Sequence, residues 1–184
     1  MARALAKFTY ADLREMPEDG RRYEVVGGDL LASPSPKVSH QVVVGAVYAL
    51  LREAARAGHG RALVAPTDVF FDEHNAVVPD ALLVSKAHLA IIAEDAVRGV
   101  PDLIVEVLSP STRARDLGPK LRLYERAGVR VYWVLDPAAQ TLASYSRSAA
   151  GPEYEEPRVL HGAATVECPL FPGIASPVAA LFAD

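Results

Sequence analysis

Short apolar runs separated by turn residues recur along the chain and predict a fold rich in β-strands. Residues 23–26 and 29–32 flank Gly27-Gly28, which is a strong signal for a two-residue hairpin turn. Residues 61–71 and 76–84 predict two more strands, joined by a turn at residues 72–75. The first half of the chain is therefore expected to contain an N-terminal hairpin and a second, longer pair of strands.

The second half contains a strand–helix–strand unit. Residues 103–108 form an apolar, β-branched run that predicts a strand buried on both faces, and residues 129–135 predict a second strand. Between them, Gly118-Pro119 indicates the start of a helix that runs to about Ala127 and ends at Gly128. Two strands joined by a helical crossover are expected to pair in parallel, with a right-handed connection.

Helical periodicity and turn signals predict the remaining elements. Thr9 can cap a short helix over residues 10–15, and a longer helix is expected over residues 40–57, ended by Gly58. The other expected elements are helical character around residues 89–97, an antiparallel meander over 141–146, 153–160 and 164–168, and a helical turn over 177–182. No internal repeat or linker interrupts the chain, so one mixed α/β domain over residues 1–184 is expected.

Composition excludes several classes of protein. With 51% hydrophobic residues, a net charge of −4 and no apolar run long enough to span a bilayer, the chain is expected to be soluble and cytoplasmic. The first eight residues lack the apolar region of a signal peptide. Cys168 is the single cysteine, which excludes an internal disulfide and a cysteine-based metal cage; we expect it to be a buried small hydrophobic residue.

Charge is distributed unevenly along the chain. The acidic total argues against binding of nucleic acid through the overall electric field. Residues 113–130, however, carry six basic against two acidic side chains, a local excess of four positive charges. This excess is compatible with a solvated helix face and equally with contacts to phosphate groups.

Two carboxylates stand isolated in apolar strand sequence. Glu106 lies in the centre of the run at residues 103–108, and Asp80 follows Pro79 inside the run at residues 76–84. Burial of an unpaired ionised group is so unfavourable that such a group is normally paired, protonated or bound to a metal. Because Pro79 cannot donate a ladder hydrogen bond, this point of the strand is irregular and can direct Asp80 into a cleft.

Two carboxylates on neighbouring strands suit a hard divalent cation such as Mg²⁺, which binds oxygen ligands and leaves positions free for water and substrate phosphate. Lys120 is the candidate to hold the attacking water and to counter the charge of the transition state, since it is expected near the N-terminus of the crossover helix. Asp116, four residues earlier, can form an ion pair with Lys120 or join the metal ligands. Tyr124, one turn later, is expected to pack in the core with a solvated hydroxyl.

Two further polar residues have alternative interpretations. Glu24 interrupts the apolar strand at residues 23–26 and is either an exposed hairpin carboxylate or part of a functional site. His40 begins the long helix, where it can cap or pack the helix as a neutral side chain, or contact phosphate or substrate.

These residues occur in an order that resembles the bacterial Uma-two family of predicted endonucleases, within the restriction-endonuclease-like PD-(D/E)xK superfamily. The resemblance extends over nearly the whole chain. Its motifs are Tyr23-Glu24 with the Gly-Gly hairpin, His40, Pro79-Asp80, Glu106-Val107-Leu108 with the following Ser-Pro-Ser-Thr, and then Asp116, Lys120, Tyr124, Gly128-Val129 and Tyr132-Trp133.

The resemblance implies a restriction-endonuclease-like mixed β-sheet flanked by helices and phosphodiester cleavage by a metal-activated water. By position, Asp80 and Glu106 would bind Mg²⁺ or Mn²⁺, and Glu24 would be an additional acidic residue of the site. The implied substrate is nucleic acid, with DNA expected, and a homodimer is suggested by analogy with the superfamily.

One position departs from the superfamily pattern. The motif lysine belongs two residues after the glutamate, on the same face of the strand, and this chain has Leu108 there. The resemblance suggests that Lys120 replaces it from the helix. Its ammonium must then lie close to Asp80 or Glu106.

Two other functions are compatible with parts of the sequence. A non-catalytic nucleic-acid-binding or interaction protein that retains the nuclease fold is favoured by Leu108 and by the acidic net charge. A two-carboxylate hydrolase acting on sugars is ranked last, because aromatic residues make up only 7% of the chain and its one Trp is predicted in a core strand. For a nuclease, Asp80→Ala and Glu106→Ala are expected to abolish cleavage while leaving the fold intact or more stable.

Overall fold

The computed structural model describes residues 6–172 and 174–183. The first five residues, on which part of the expectation about a signal peptide depends, lie outside this range. None of the helices in the described ranges is both long and apolar enough to cross a membrane.

The helical elements flank the strands and are short apart from α2. They are α1 Tyr10–Arg14, α2 Val38–Arg56, a 3₁₀ helix Lys86–Ile91, α3 Arg113–Arg115, a π-helical turn Asp116–Lys120, α4 Leu121–Ala127 and a 3₁₀ helix Val178–Leu181.

The strands of the first half are β1 Arg22–Val26, β2 Asp29–Ser33, β3 Gly60–Val64, β4 Val69–Asp72, β5 Asn75–Val77 and β6 Ala81–Ser85. Those of the second half are β7 Val97–Arg98, β8 Leu103–Val107, β9 Val131–Asp136, β10 Thr141–Ser146, β11 Arg158–His161, β12 Thr165–Glu167 and β13 Ala175–Pro177.

Within the described residues the strands form three sheets. A five-stranded sheet has the order β2-β1-β5-β4-β7, a six-stranded sheet has the order β11-β10-β9-β8-β6-β3, and β12 pairs with β13. The strands β8 and β9 on either side of the crossover pair in parallel, as predicted. The β1–β2 hairpin also forms as predicted, with Gly27 and Gly28 at φ angles of 61° and 82°, which a two-residue turn of this hand requires.

Two cores lie on opposite faces of the six-stranded sheet. Strand β8 contributes to both, because alternate side chains of a strand point to opposite faces. Leu103, Val105 and Val107 pack with α2 and the C-terminal segment. Ile104 packs on the other face, against residues of the five-stranded sheet and α4. The predicted burial of this strand on both faces is confirmed.

The predicted second pair of strands is wrong in its continuity. Residues 61–71 are split into β3 and β4, and residues 76–84 into β5 and β6; the chain leaves the six-stranded sheet after β3 and returns to it at β6. Each interruption contains a proline, Pro66 or Pro79, and proline cannot donate the ladder hydrogen bond that would continue a strand. The return of the chain from β5 to β6 places Asp80 between the two sheets.

Two helix predictions need correction. The helical character expected around residues 89–97 occurs earlier, as the 3₁₀ helix Lys86–Ile91, and Val97–Arg98 is instead a strand that pairs with β4. The crossover helix begins at Arg113 rather than at Gly118, and Pro119 lies inside its π-helical turn. Since proline has no N–H to donate to the preceding turn, a wider π turn accommodates it without breaking the helix. The helix ends as predicted, at Gly128 with a φ of 90°.

The C-terminal meander is correct only in part. Strands β9, β10 and β11 form an antiparallel continuation, but residues Thr165–Glu167 pair with β13 in a separate sheet. The reason is burial: Val166 and Cys168 are 0% and 3% exposed and belong to the core beside α2. The final helical turn is confirmed at Val178–Leu181.

Candidate active site

The polar residues singled out from the sequence converge in the region where the two larger sheets meet. Four carboxylates, those of Glu24, Asp80, Glu106 and Asp116, are only 2–4% exposed, and Lys120 among them is 2% exposed. We call these five residues the carboxylate cluster. Burial of several charged side chains destabilises a protein unless the charges are paired. The cluster therefore has either a functional role or a strong structural one.

Strand pairing brings Asp80 and Glu106 together. The antiparallel register of β6 and β8 places Ala81 opposite Val105, so the residues just beyond them, Asp80 and Glu106, are neighbours. Glu24 reaches the same place from β1 of the other sheet, where its Oε1 accepts a hydrogen bond of 2.9 Å from the backbone N–H of Val78. The interpretation of Glu24 as an exposed hairpin carboxylate is therefore wrong.

Lys120 enters the cluster from the π-helical turn. Its Nζ lies 2.5 Å from Glu106 Oε1, 2.9 Å from Glu24 Oε1 and 3.7 Å from Asp116 Oδ1. Lys120 is in the middle of the crossover helix and not near its N-terminus, because that helix begins at Arg113. The three carboxylates raise the pKa of Lys120 well above its usual value and outweigh burial, which alone would lower it.

Hydrogen-bond donors surround Asp80. Its Oδ2 accepts a 2.9 Å bond from the N–H of Val107 and lies 3.2 Å from Nε2 of His40, while Arg22 donates to Oδ1 over 3.2 Å. Burial raises the pKa of Asp80, but the His40 hydrogen bond and the Arg22 charge outweigh it, so the net pKa is below the usual value. Asp80 is therefore held as an anion in a fixed orientation.

Glu106 has the opposite electrostatic environment. Its Oε1 accepts a 2.8 Å hydrogen bond from the hydroxyl of Tyr124 and contacts Lys120. Burial raises the pKa of Glu106, Lys120 lowers it, and the charges of Asp116, Asp80 and Glu24 raise it further, so the net pKa is well above the usual value. Two carboxylates with pKa values displaced in opposite directions are a frequent feature of catalytic sites.

The accessory residues take specific positions. Tyr124 is fully buried and donates to Glu106, so the expectation of a solvated hydroxyl is wrong. His40 neither caps α2 nor merely packs; its Nε2 lies 3.0 Å from the carbonyl oxygen of Val107 and 3.2 Å from Asp80. Asp116 pairs at longer range with Lys120, and burial raises its pKa. Leu108, at the position of the motif lysine, is buried in the core.

Sequence reasoning missed Arg22. It lies on β1 two residues before Glu24, so both side chains leave the strand on the same face, and its Nη1 donates to Asp80 Oδ1 and to the carbonyl oxygen of Val78. Burial opposes the charge of Arg22, but Asp80, Glu106 and Glu24 outweigh it and raise its pKa. The sequence feature that could have identified Arg22 is its position two residues before Glu24, on the same face of the strand.

A divalent cation, which the sequence resemblance implies, fits the donor set. With all groups ionised, four carboxylates face two cations, Lys120 and Arg22, which leaves an excess of two negative charges. Oxygen ligands of this type suit Mg²⁺ or Mn²⁺, and no described residue forms a hydrogen bond to Oε2 of Glu106 or of Glu24. Across residues 6–172 and 174–183, no three His, Cys, Asp or Glu side chains are already grouped around a metal position.

Comparisons with known proteins identify a similar fold and a family. The chain is similar to the crystal structure of "a putative nuclease belonging to DUF820" from Anabaena variabilis, with a TM-score of 0.78 and 19% identity, over 95% of this chain and 97% of that chain. At this identity the likeness shows the fold, and it confirms the predicted mixed α/β class with a mixed sheet flanked by helices. A comparison with curated proteins finds no match. A family model described as Uma2, "Putative restriction endonuclease", matches residues 10–179. The chain therefore belongs to the Uma2 family.

Proposed function

We propose that the protein is a metal-dependent endonuclease that hydrolyses phosphodiester bonds in nucleic acid, with DNA as the expected substrate. The observation that carries this proposal is the carboxylate cluster: Asp80, just before β6, neighbours Glu106 on β8, and Lys120 contacts Glu106. The Uma2 match and the nuclease-like fold support the same reaction class.

Asp80 and Glu106 would hold the divalent cation, Mg²⁺ or Mn²⁺. Such an ion, when bound, lowers the pKa of a coordinated water and neutralises charge on the phosphate. His40, Arg22 and the N–H of Val107 hold Asp80 in position. Tyr124 fixes Glu106 through its hydroxyl.

Lys120 would take the role of the motif lysine that Leu108 cannot fill. Its ammonium is held by Glu24 on one side and Glu106 on the other, which fixes a positive charge next to the proposed metal ligands. A cation that is already oriented stabilises charge developing on the phosphate without reorganisation during the reaction. Glu24 then acts through Lys120 as a positioning residue.

A cleavage assay tests this function directly. Supercoiled plasmid, linear duplex, single-stranded DNA and RNA are incubated with Mg²⁺ or Mn²⁺, with EDTA as the metal-free arm. We expect metal-dependent cleavage that is lost in Glu106→Gln and in Asp80→Asn. The matched control is Glu53→Gln, which removes an exposed carboxylate from α2. Cleavage that persists in EDTA or in both cluster variants contradicts the assignment.

A second candidate is a nucleic-acid-binding protein without cleavage activity. The observation that favours it is the complete pairing of Asp80, both of whose oxygens accept hydrogen bonds from described residues. Titration calorimetry with Mn²⁺ separates the two functions. Heat of binding that disappears in Glu106→Gln supports the nuclease, whereas nucleic-acid binding with no metal binding and no cleavage supports the second candidate.

A further inference from the structure

Arg22 differs from Lys120 in its access to solvent. The side chain of Arg22 is 24% exposed, whereas that of Lys120 is 2% exposed. Arg22 uses Nη1 for its bonds to Asp80 and to the carbonyl of Val78, and no bond to a described residue uses its Nε or Nη2. Among the described residues neither nitrogen is both buried and unpaired, so both contact solvent. Arg22 thus holds Asp80 with one nitrogen, while two other donor nitrogens have no hydrogen-bond partner in the part of the chain that the structure describes.

Arg22 also lines a groove. The groove has a volume of about 330 Å³ and is lined by Arg14 and Arg21 as well as Arg22. Two acidic residues, Glu18 and Asp68, also line it and balance Arg14 and Arg21, so the remaining charge is that of Arg22, which also pairs with Asp80. We call this the Arg22 groove.

The walls of the Arg22 groove are partly apolar. Leu13 and Met16 come from the segment around α1, and Pro66 comes from the loop between β3 and β4. A volume of about 330 Å³ is at the small end of the usual range for ligand pockets, about 300–1,000 Å³. This combination of guanidinium groups and apolar wall suits one nucleotide, whose phosphate is anionic and whose base is flat and largely apolar.

We propose that Arg22 is a substrate-binding residue, which donates through Nε and Nη2 to a phosphate of the nucleic-acid strand lying in the Arg22 groove. The planar guanidinium matches phosphate geometry and can donate two parallel hydrogen bonds to it. Because Nη1 stays on Asp80, the bound phosphate lies on the far side of the guanidinium from that carboxylate. Arg22 would thereby contact the nucleic-acid strand and Asp80 at the same time, which fixes the position of one relative to the other. The identity of the ligand rests on the proposed function, whereas the binding itself is measured without cleavage.

The test measures binding of fluorescein-labelled single-stranded and duplex oligonucleotides by anisotropy, in EDTA, over a series of salt concentrations. In Arg22→Gln we expect binding about 10- to 100-fold weaker, because a charge-assisted contact to phosphate is lost. The slope of log K against log salt should fall by about 0.7 for single strands or 0.9 for duplex, the value of one phosphate contact. Arg22→Lys should restore the slope and only part of the affinity, since lysine is a point charge.

Two controls separate this role from a structural one. Arg52→Gln removes an exposed arginine of α2 and makes the same change in net charge. Asp80→Asn removes the partner of Arg22, and in this background a merely charge-balancing Arg22 would have no further effect on binding. We expect Arg22→Gln to reduce the slope in the Asp80→Asn background as well, and circular dichroism confirms that each variant is folded.

The outcomes also distinguish this proposal from the proposed function. Wild-type cleavage combined with an unchanged slope in Arg22→Gln overturns the Arg22 assignment and leaves the nuclease intact. A reduced slope in a protein that cleaves no substrate supports the Arg22 groove and overturns the nuclease. If Arg52→Gln changes the slope as much as Arg22→Gln, or if wild type binds neither oligonucleotide, the Arg22 assignment is wrong.

Discussion

Neutralisation of Asp80 should destabilise the protein, whereas neutralisation of Glu106 should leave its stability unchanged or higher. From the sequence alone, removal of either Asp80 or Glu106 is expected to leave the fold intact or more stable. The structure separates the two residues, because Asp80 accepts hydrogen bonds on both oxygens, whereas no described residue donates to Oε2 of Glu106. The isosteric variants Asp80→Asn and Glu106→Gln test this difference in metal-free protein.

Asp80→Asn creates a conflict between donors. Arg22 donates to one oxygen and Val107 N–H to the other, so the amide group of asparagine faces a donor in either orientation. One buried donor or charge then loses its partner, which costs about 1–3 kcal/mol, and more where the lost partner was charged. We expect the free energy of unfolding to fall by about 2–3 kcal/mol.

Glu106→Gln replaces the ion pair with Lys120 by a hydrogen bond to a neutral oxygen, while Lys120 keeps the carboxylates of Glu24 and Asp116 as partners. The carbonyl oxygen of glutamine can still accept from the hydroxyl of Tyr124, and its amide nitrogen takes the place of the oxygen that has no described donor. Where Glu106 is ionised, the substitution also removes one negative charge from the excess that the cluster carries. We expect a free energy of unfolding equal to that of wild type or higher by about 1 kcal/mol, a gain typical of relieving strain at a functional site.

Urea unfolding followed by circular dichroism at pH 7 in EDTA measures both changes. Glu53→Gln on the surface of α2 is the control for loss of one negative charge. A loss of 2 kcal/mol or more in Glu106→Gln, about the size expected for Asp80→Asn, would refute the reasoning, since both carboxylates would then be equally necessary for folding.

Three further predictions concern other parts of the molecule. Lys120→Met should lower the free energy of unfolding by about 3–5 kcal/mol at pH 7, because it leaves buried carboxylates without their cation. A loss below about 1 kcal/mol in urea unfolding would contradict the ion pairs described for Lys120. Asp102 is buried and accepts hydrogen bonds from Ser85 N–H at 2.7 Å and from His88. Burial raises the pKa of Asp102, but these bonds outweigh burial and hold the pKa below its usual value. The stabilisation that ionised Asp102 provides is therefore present above its pKa in the unfolded chain and is lost as pH falls through its lower pKa in the folded protein. The loss of stability caused by Asp102→Asn, measured from pH 7 to pH 3, should shrink only at the acidic end. Burial raises the pKa of Cys168 to about 11, so a thiol reagent at pH 8 should label it only after unfolding, and rapid labelling of native protein would show that the side chain is accessible.

The sequence by itself singled out most residues of the candidate site but not the contacts between them. An isolated carboxylate in an apolar strand is recognisable because its burial is so unfavourable, and Glu106 and Asp80 stand out for that reason. The hairpin at Gly27-Gly28 and the helix end at Gly128 are equally local, since each depends on a backbone conformation that glycine adopts readily. Parallel pairing of β8 and β9 follows from the crossover between them.

Only the tertiary structure decided which side chains meet. Arg22 and Glu24 lie on a strand of one sheet and Glu106 on a strand of the other, and no local pattern shows that these sheets come together at the cluster. The π turn around Pro119 was also hidden, because proline signals a helix start in sequence but is tolerated here inside a helix. The periodicity of a chain specifies which face of an element is buried, whereas the partner of a buried charge is set by long-range packing, which periodicity does not contain.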